Sequence, residues 1–399
     1  MNKAQVLSII QNAPGVIVGQ HVGNRETAVA PNWPYNFTHE VTDLYTLTGK
    51  FPAIVAASLE GNDDGYWKHT GLINLLIDEW NAGSLIELTS TINNPWTGED
   101  ESDLTRTRLA DLLIPGDPHD AYIAQIDFMH SQLVLLRDAG VVVLWRPFRE
   151  MTYTQSTWWC VGNEWWEVIE GEYANRPQIV ADFIALWQDM YTRFADCPNL
   201  IWVYGAANST GAWGGIPCDS LWPGNTYVDI AGFSYYDQLT EPGITELAAH
   251  GKPIAFTEFG HIPRDGTDDL LAELALLKLN PLIKYVLHWQ SWGPPSGWTA
   301  IIDQVNPIPY MNDAYILTRD EILLPTAPSA LVAEAVSQSQ INLAWRDNSY
   351  NEIGFKIERS LTGIGDWVQI ATVTAGVVAY SNIELERGTT YYYRVCAYN

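Results

Sequence analysis

Between residues 15 and 292 the chain repeats one cycle: a short apolar, β-rich run, a polar or aromatic loop, then a stretch with helical spacing. The apolar runs are 15–21 (GVIVGQH), 51–60, 84–92 and 141–148, then 200–206, 228–236, 253–260 and 283–292. Near-continuous apolar runs of this length, bounded by turn signals, read as strands buried on both faces. Between them the helical pattern is clearest over 119–139, where Ile123, Ile126, Met129, Leu133 and Leu136 share a face and Gly140 stops it. A second runs over 178–196 through Ile179, Phe183, Leu186, Trp187 and Met190. Strands alternating with helices predict an α/β chain folded as a (β/α)8 TIM barrel, with an open doubly wound sheet as the alternative. The open sheet favours a glycine-rich phosphate loop after its first strand, and GVIVGQHVGN has no GxGxxG.

Past residue 322 the pattern changes. LLPTAPSA is a proline-bearing linker. Short β-type runs follow at 330–336, 340–345, 353–359, 367–373, 377–381 and 389–398, predicting a small all-β sandwich. The expected domains are a barrel over 1–322, a linker over 323–328 and the sandwich over 329–399.

Composition narrows the function. The net charge of −26, from 21 Lys+Arg against 47 Asp+Glu, repels phosphate backbones and anionic lipid, so nucleic acid is excluded as a partner. No apolar run reaches the roughly 18 residues of a membrane span. The four cysteines, Cys160, Cys197, Cys218 and Cys396, are too scattered for a disulfide framework or a zinc site, and neither metal nor cofactor is expected. Cys160 and Cys218 both follow strand ends and are a candidate pair. The 18 Trp and 20 Tyr are many for this length; most fill the core, and the flat faces of an exposed minority suit the apolar face of a sugar ring. A signal peptide is not visible after Met1.

The chemistry concentrates where barrel enzymes place it, at the C-terminal ends of strands. VVVLWRPFREM runs from a buried strand into Arg146, Arg149 and Glu150, and PIAFTEFG delivers Glu258. Burying charge costs several kcal/mol unless it is paired or working. Strands four and seven lie across a barrel from one another, so two carboxyls at their ends can flank one glycosidic bond, roughly 5–5.5 Å apart in a retaining enzyme. The plainer reading of Glu150 is an ion pair with Arg146 or Arg149. His21, Tyr235, Tyr236, Trp289 and Trp292 also fall at strand ends; of the two tyrosines only one can face inward.

These phrases, in this order, resemble glycoside hydrolase family 26, which contains many endo-β-1,4-mannanases. The resemblance rests on WRPFREM, the pair Trp158 and Trp159, TEFG around Glu258, GQH at Gly19 to His21, and NNP at Asn93 to Pro95. It extends to NLIWVY at Asn199 to Tyr204, WPGNTYVDIAGFSYYD at Trp222 to Asp237, and HWQSW at His288 to Trp292. It implies Glu150 as general acid/base and Glu258 as nucleophile. Tyr236 would orient the nucleophile, Trp289 would be the platform under a sugar, and Arg146 would hold the carboxylates in register. Arg149, His21, Trp158 and Trp292 complete the expected substrate-binding set, each against the plainer reading of a packed wall or core residue. Residues 326–399, with NLAWRDNSYNEIGFKIERS and TTYYYRVCAYN, resemble a fibronectin type III module whose last strand is missing after Asn399, which would leave an unpaired edge.

The chain departs from the family in carrying Arg149 where a histidine is usual, TYTQST after Met151, and Ser90 and Thr91 where Trp-His is usual. Arg149 beside Glu150 favours the ionised carboxyl, so burial must offset it if Glu150 is to be an acid. The family resemblance and the appended module together imply a secreted bacterial enzyme, and a monomer is expected. Its reaction would be retaining endo-hydrolysis of a neutral polysaccharide, β-1,4-mannan first, β-1,3-xylan or mixed-linkage β-glucan next. The alternative of another class is a catalytically silent carbohydrate-binding barrel.

Overall fold

The computed structural model describes residues 1–23, 37–60, 69–99, 103, 107–152, 176–207, 217–236, 242–260, 264–291, 297–323, 325–349 and 352–398. The chain divides into two compact units, Met1–Gln11 with Gly15–Arg319, and Asn12–Pro14 with Asp320–Asn399.

In the first unit eight parallel strands run in chain order: β1 (Val16–His21), β2 (Ile54–Glu60), β3 (Leu85–Thr91), β4 (Val143–Arg146), β5 (Leu200–Ala207), β6 (Ile230–Tyr235), β7 (Ile254–Phe259) and β8 (Ile283–His288). β1 pairs with both β2 and β8, so the sheet closes and the open-sheet alternative falls. A two-residue strand, β9 (Ile316–Leu317), adds to the start of β1. The helices are α1 (Lys3–Asn12), α2 (Leu44–Thr48), α3 (His69–Ala82), α4 (Asp117–Asp138), α5 (Arg176–Arg193), α6 (Pro242–Ala248), α7 (Leu270–Leu279), α8 (Pro307–Met311) and α9 (Arg319–Leu323). The helices expected over 119–139 and 178–196 are α4 and α5.

The period of two along each strand sorts side chains between two cores. Val18, Val55, Ile86, Val143, Trp145, Trp202 and Phe233 join the hydrophobic layer shared with the helices. Their alternates, among them Gly19, Glu87, Arg146, Gly205 and Ser234, face the barrel axis. β4 ends at Arg146, short of the expected 148, because Pro147 has no N–H to continue the ladder.

The second unit holds two antiparallel sheets of three strands each. One has the order β10 (Ser329–Ser337), β11 (Gln340–Arg346), β14 (Ala379–Asn382); the other β13 (Val368–Thr374), β12 (Gly354–Ser360), β15 (Tyr392–Tyr398). All six expected runs are present. Leu343, Trp345, Phe355 and Ile357 form its core. Among the described residues β15 pairs with β12 alone.

Candidate active site

The site is built on Arg146. The side chain is fully buried at the end of β4 and lies between two carboxylates: Nη1 donates to Glu258 Oε1 at 2.7 Å, and Nε stands 3.3 Å from Glu87 Oε1. Burial opposes its charge, but Glu258 and then Glu87 more than offset that and hold the guanidinium protonated. Space for it comes from β5, where a Cβ on Gly205 would lie 2.7 Å from Arg146 Cδ. Any side chain there would displace the arginine.

Beyond Pro147 the chain turns sharply. Glu150 sits at φ 50°, in the left-handed region that non-glycine residues avoid. The turn is held from both sides. Arg149 bridges to Gly205 of β5, the Thr152 hydroxyl accepts from Ala207 N–H at 2.9 Å and donates to Ala207 O at 3.2 Å, and the Ser90 hydroxyl donates to Pro147 O. Phe148 anchors it below, buried against Phe183 and Trp187. The Ser234 hydroxyl of β6 faces the Glu150 carboxyl. Burial raises that carboxyl to about 7, helped by the negative charge of Glu258 and opposed by Arg149 and Arg146. Burial therefore outweighs Arg149, and a proton sits on Glu150 up to neutrality.

Glu258 owes its direction to a bulge in β7. Phe233 of β6 pairs with Phe256, but the next residue, Ser234, pairs with Glu258, so Thr257 is the extra residue. A bulge resets the alternation and turns Glu258 toward the axis, where strict alternation would have grouped it with the outward Phe256. Its Oε1 is on Arg146; its Oε2 accepts from the Tyr236 hydroxyl at 3.0 Å. Burial, then Glu258 and Glu150, push the Tyr236 phenol far up, so it stays a donor. The Arg264 guanidinium lies 4.6 Å from the Tyr236 ring centre. Tyr235 points the other way and packs on Phe256 and Phe259.

Trp289 follows β8 and is 4% exposed. His21 stacks on it at 3.8 Å and 14°, and the guanidinium carbons of Arg149 and Arg146 lie 5.8 and 5.9 Å from its centre. His21 Nδ1 accepts from Gly23 N–H at 3.0 Å, and burial followed by Arg146 and Arg149 keeps the ring neutral. His21 thus lies under Trp289, 1% exposed. Gln20 of β1 fixes the platform's backbone, its amide donating to Trp289 O at 3.3 Å and its carbonyl accepting from Ile301 N–H at 3.1 Å.

The structure therefore brings Arg146, Arg149, Glu150, Tyr236, Glu258, Trp289 and His21 together. Trp158, Trp159, Cys160 and Trp292 lie outside the described residues, as does the side chain of Thr91. Cys218 is buried, and its Sγ donates to Ala207 O at 3.1 Å. Sequence reasoning missed Glu87, Ser234, Gln20 and Arg264; a charge inside the apolar run SLIELTSTI was the available signal for Glu87. It also read Ser90 only as a changed cleft residue, whereas its hydroxyl holds the turn at Pro147.

Among the described residues His130, Asp196 and Cys197 bring three metal-ligand atoms within 4.8 Å of one another. The Asp196 carboxylate is already taken, by His130 at 2.7 Å and Arg137 at 3.0 Å, and burial, then Asp196, pushes the Cys197 thiol up to about 11. This group precedes β5, at the end of the barrel away from the carboxylates. A cavity of about 310 Å³ lined by Gln11, Lys252, Ile254 and Lys284 lies at the same end, where a barrel invests in stability rather than chemistry.

A closed (β/α)8 barrel with two carboxyls, one kept protonated and one held by arginine and tyrosine, has the architecture of the barrel glycoside hydrolases. The sequence profile of Glycosyl hydrolase family 26 matches residues 19–321, and the chain belongs to that family. A mannan endo-1,4-β-mannosidase of Bacillus subtilis is 27% identical over 277 residues, 65% of this chain and 72% of that protein. Mannan endo-1,4-β-mannosidase A and B of Caldalkalibacillus mannanilyticus is 25% identical over 370 residues, 85% of this chain and 68% of that one. Among solved structures, a B. subtilis mannanase superposes with TM-score 0.63 at 21% identity, covering 79% of this chain and 90% of that one. An endo-β-1,4-mannanase of Cellulomonas fimi does so with TM-score 0.62 at 15% identity, covering 100% and 97%. No described helix is long and apolar enough to cross a membrane.

Proposed function

We propose that the chain is a retaining endo-β-glycanase that hydrolyses β-1,4-mannan-type polysaccharide by double displacement. One observation carries the reading: Glu258 is held by Arg146 and Tyr236 while Glu150, coupled to it, is raised to about 7. Environments that separate two carboxyls in this way divide acid from nucleophile. Glu258 attacks the anomeric carbon as Glu150 passes its proton to the departing oxygen; Glu150 then takes a proton from water, whose oxygen displaces Glu258. Both charges formed are met in place, so no cofactor enters the scheme. Tyr236 keeps Oε2 of the nucleophile oriented, Trp289 supports the sugar beside the cut, and His21 braces Trp289 from behind. Arg149, over Trp289, replaces the family's histidine as the polar contact beside the acid.

Mannan is favoured by the relatives, whose names are those of mannan-cleaving enzymes. Reducing-sugar release from mannan, galactomannan, β-1,3-xylan and lichenan, with Glu258→Ala as control, tests the reading. Release on mannan is expected; release on β-1,3-xylan or lichenan alone would replace the substrate. Binding without release would leave a silent carbohydrate-binding barrel, and an inverted first product by NMR would reject double displacement. We further assign residues 329–399 to a fibronectin type III-like module after a linker at 323–328, on a monomeric protein working outside a bacterial cell. A sedimentation measurement showing a dimer would reject the monomer.

A further inference from the structure

Glu87 carries a carboxyl in mid-strand and is 1% exposed, inside the barrel. Removing a carboxylate from water costs several kcal/mol unless a partner repays it. Among the described residues the cation facing it is Arg146, at 3.3 Å, and that guanidinium's other end is the 2.7 Å hydrogen bond to Glu258. The remaining groups turned toward the Glu87 carboxyl are the Tyr285 hydroxyl of β8 and Glu258 itself. Three strands, β3, β4 and β7, are thereby joined in one line of charge, Glu87–Arg146–Glu258. Gly205 leaves the gap in which the arginine lies.

We propose that Glu87 is a positioning residue of the active site: it grips Arg146 from the side away from substrate and so fixes the guanidinium that holds the nucleophile. The proposal rests on the reading of Glu258 as nucleophile. A flexible arginine tethered at one end could swing within the barrel; held at both, it presents Nη1 to one place. The arrangement also has an electrostatic consequence. Burial, offset in part by Arg146 and Tyr285, raises Glu87 to about 7, so it ionises near neutrality. Its negative charge then cancels part of the Arg146 charge, which is one of the groups pulling the Glu150 proton off. Glu87 acts on Glu150 through Arg146, and it helps the acid keep its proton.

Glu87→Gln keeps the shape and removes the charge; Glu87→Leu removes the grip. Both are compared with wild type in kcat, KM and the pH profile of kcat/KM on mannan, with circular dichroism to confirm folding. Because misplacing a reacting group by about 1 Å can cost up to about 100-fold, kcat is expected to fall by about tenfold in Glu87→Leu and by about threefold in Glu87→Gln. KM should stay within about twofold in both, since Glu87 meets no sugar. In Glu87→Gln the alkaline limb should move to lower pH by about half a unit, because the full Arg146 charge then acts on Glu150. Wild-type kcat with an unmoved limb in Glu87→Gln overturns the proposal, even if its melting temperature falls, because that result describes a merely structural residue. Should Glu87→Leu fail to fold, Glu87→Gln decides alone. Glu258→Ala separates the two readings: residual release there rejects the nucleophile assignment, whereas an inactive Glu258→Ala beside an unaltered Glu87→Gln rejects only the role of Glu87.

Discussion

At the scale of single residues, the proposed reaction depends on where two protons sit. Glu150 must be protonated to act as an acid, and its carboxyl is raised to about 7, chiefly by burial. Activity is therefore expected to decline as pH rises through about 7, and a kcat/KM profile on a neutral glycan reads it directly. Replacing Glu150 with Ala should cost about 10²–10⁴-fold on polysaccharide. It should cost far less for formation of the glycosyl-enzyme from an aryl glycoside, whose leaving group needs little protonation. The Tyr236 hydroxyl makes a 3.0 Å charge-assisted bond to Glu258. Such a bond contributes about 1.5–3 kcal/mol, so Tyr236→Phe should lower kcat/KM by about 10- to 100-fold with the fold intact.

At the scale of elements, the site depends on three local departures from regular geometry. Pro147 ends β4, the left-handed Glu150 turns the chain so that Thr152 meets Ala207 of β5, and the β7 bulge at Thr257 re-aims Glu258. Each costs conformational energy, which neighbouring strands offset: β5 through Gly205 and Ala207, β3 through Ser90. Gly205→Ala tests this dependence. Its Cβ would come within 2.7 Å of Arg146 Cδ, and overpacking of a full core costs about 1–3 kcal/mol. Urea unfolding should show that loss, and kcat should fall with it because the displaced side chain is the one that holds Glu258.

At the scale of the whole molecule, two units carry separate cores. Trp345 is 5% exposed in the core of the second, and Trp345→Ala should destabilise that unit by about 3–5 kcal/mol. The value of kcat on a soluble manno-oligosaccharide should stay unchanged, since every group of the site lies in the first unit; calorimetry with an activity assay checks both. Glu87 and Glu150 also set a pH dependence of stability. Their ordinary value is 4.5 and both are raised to about 7 in the folded protein. Between these values the folded state holds protons that the unfolded chain has released, so their contribution, complete below about pH 4.5, is lost as pH rises through about 7. The barrel's urea midpoint should accordingly decline across that interval.

Much of this was legible in the sequence. The eight apolar runs, the helical faces of α4 and α5 and the six β runs of the second unit follow from periodicity, because burial imposes a period of two or 3.6 whatever the partners are. Glu150 and Glu258 were legible as charges at the ends of buried strands, where desolvation makes an idle carboxylate costly. Other features were not legible, because they depend on partners distant in the chain. Alternation alone would have placed Glu258 with the outward Phe256, and only pairing with β6 shows the bulge that reverses it. Glu87 and Glu258 are 171 positions apart in the numbering and meet through Arg146 only once the barrel closes. The sequence determined which residues are buried and which carry charge; closure of the sheet decided which charges face one another, because that is set by strand order and register across the barrel axis.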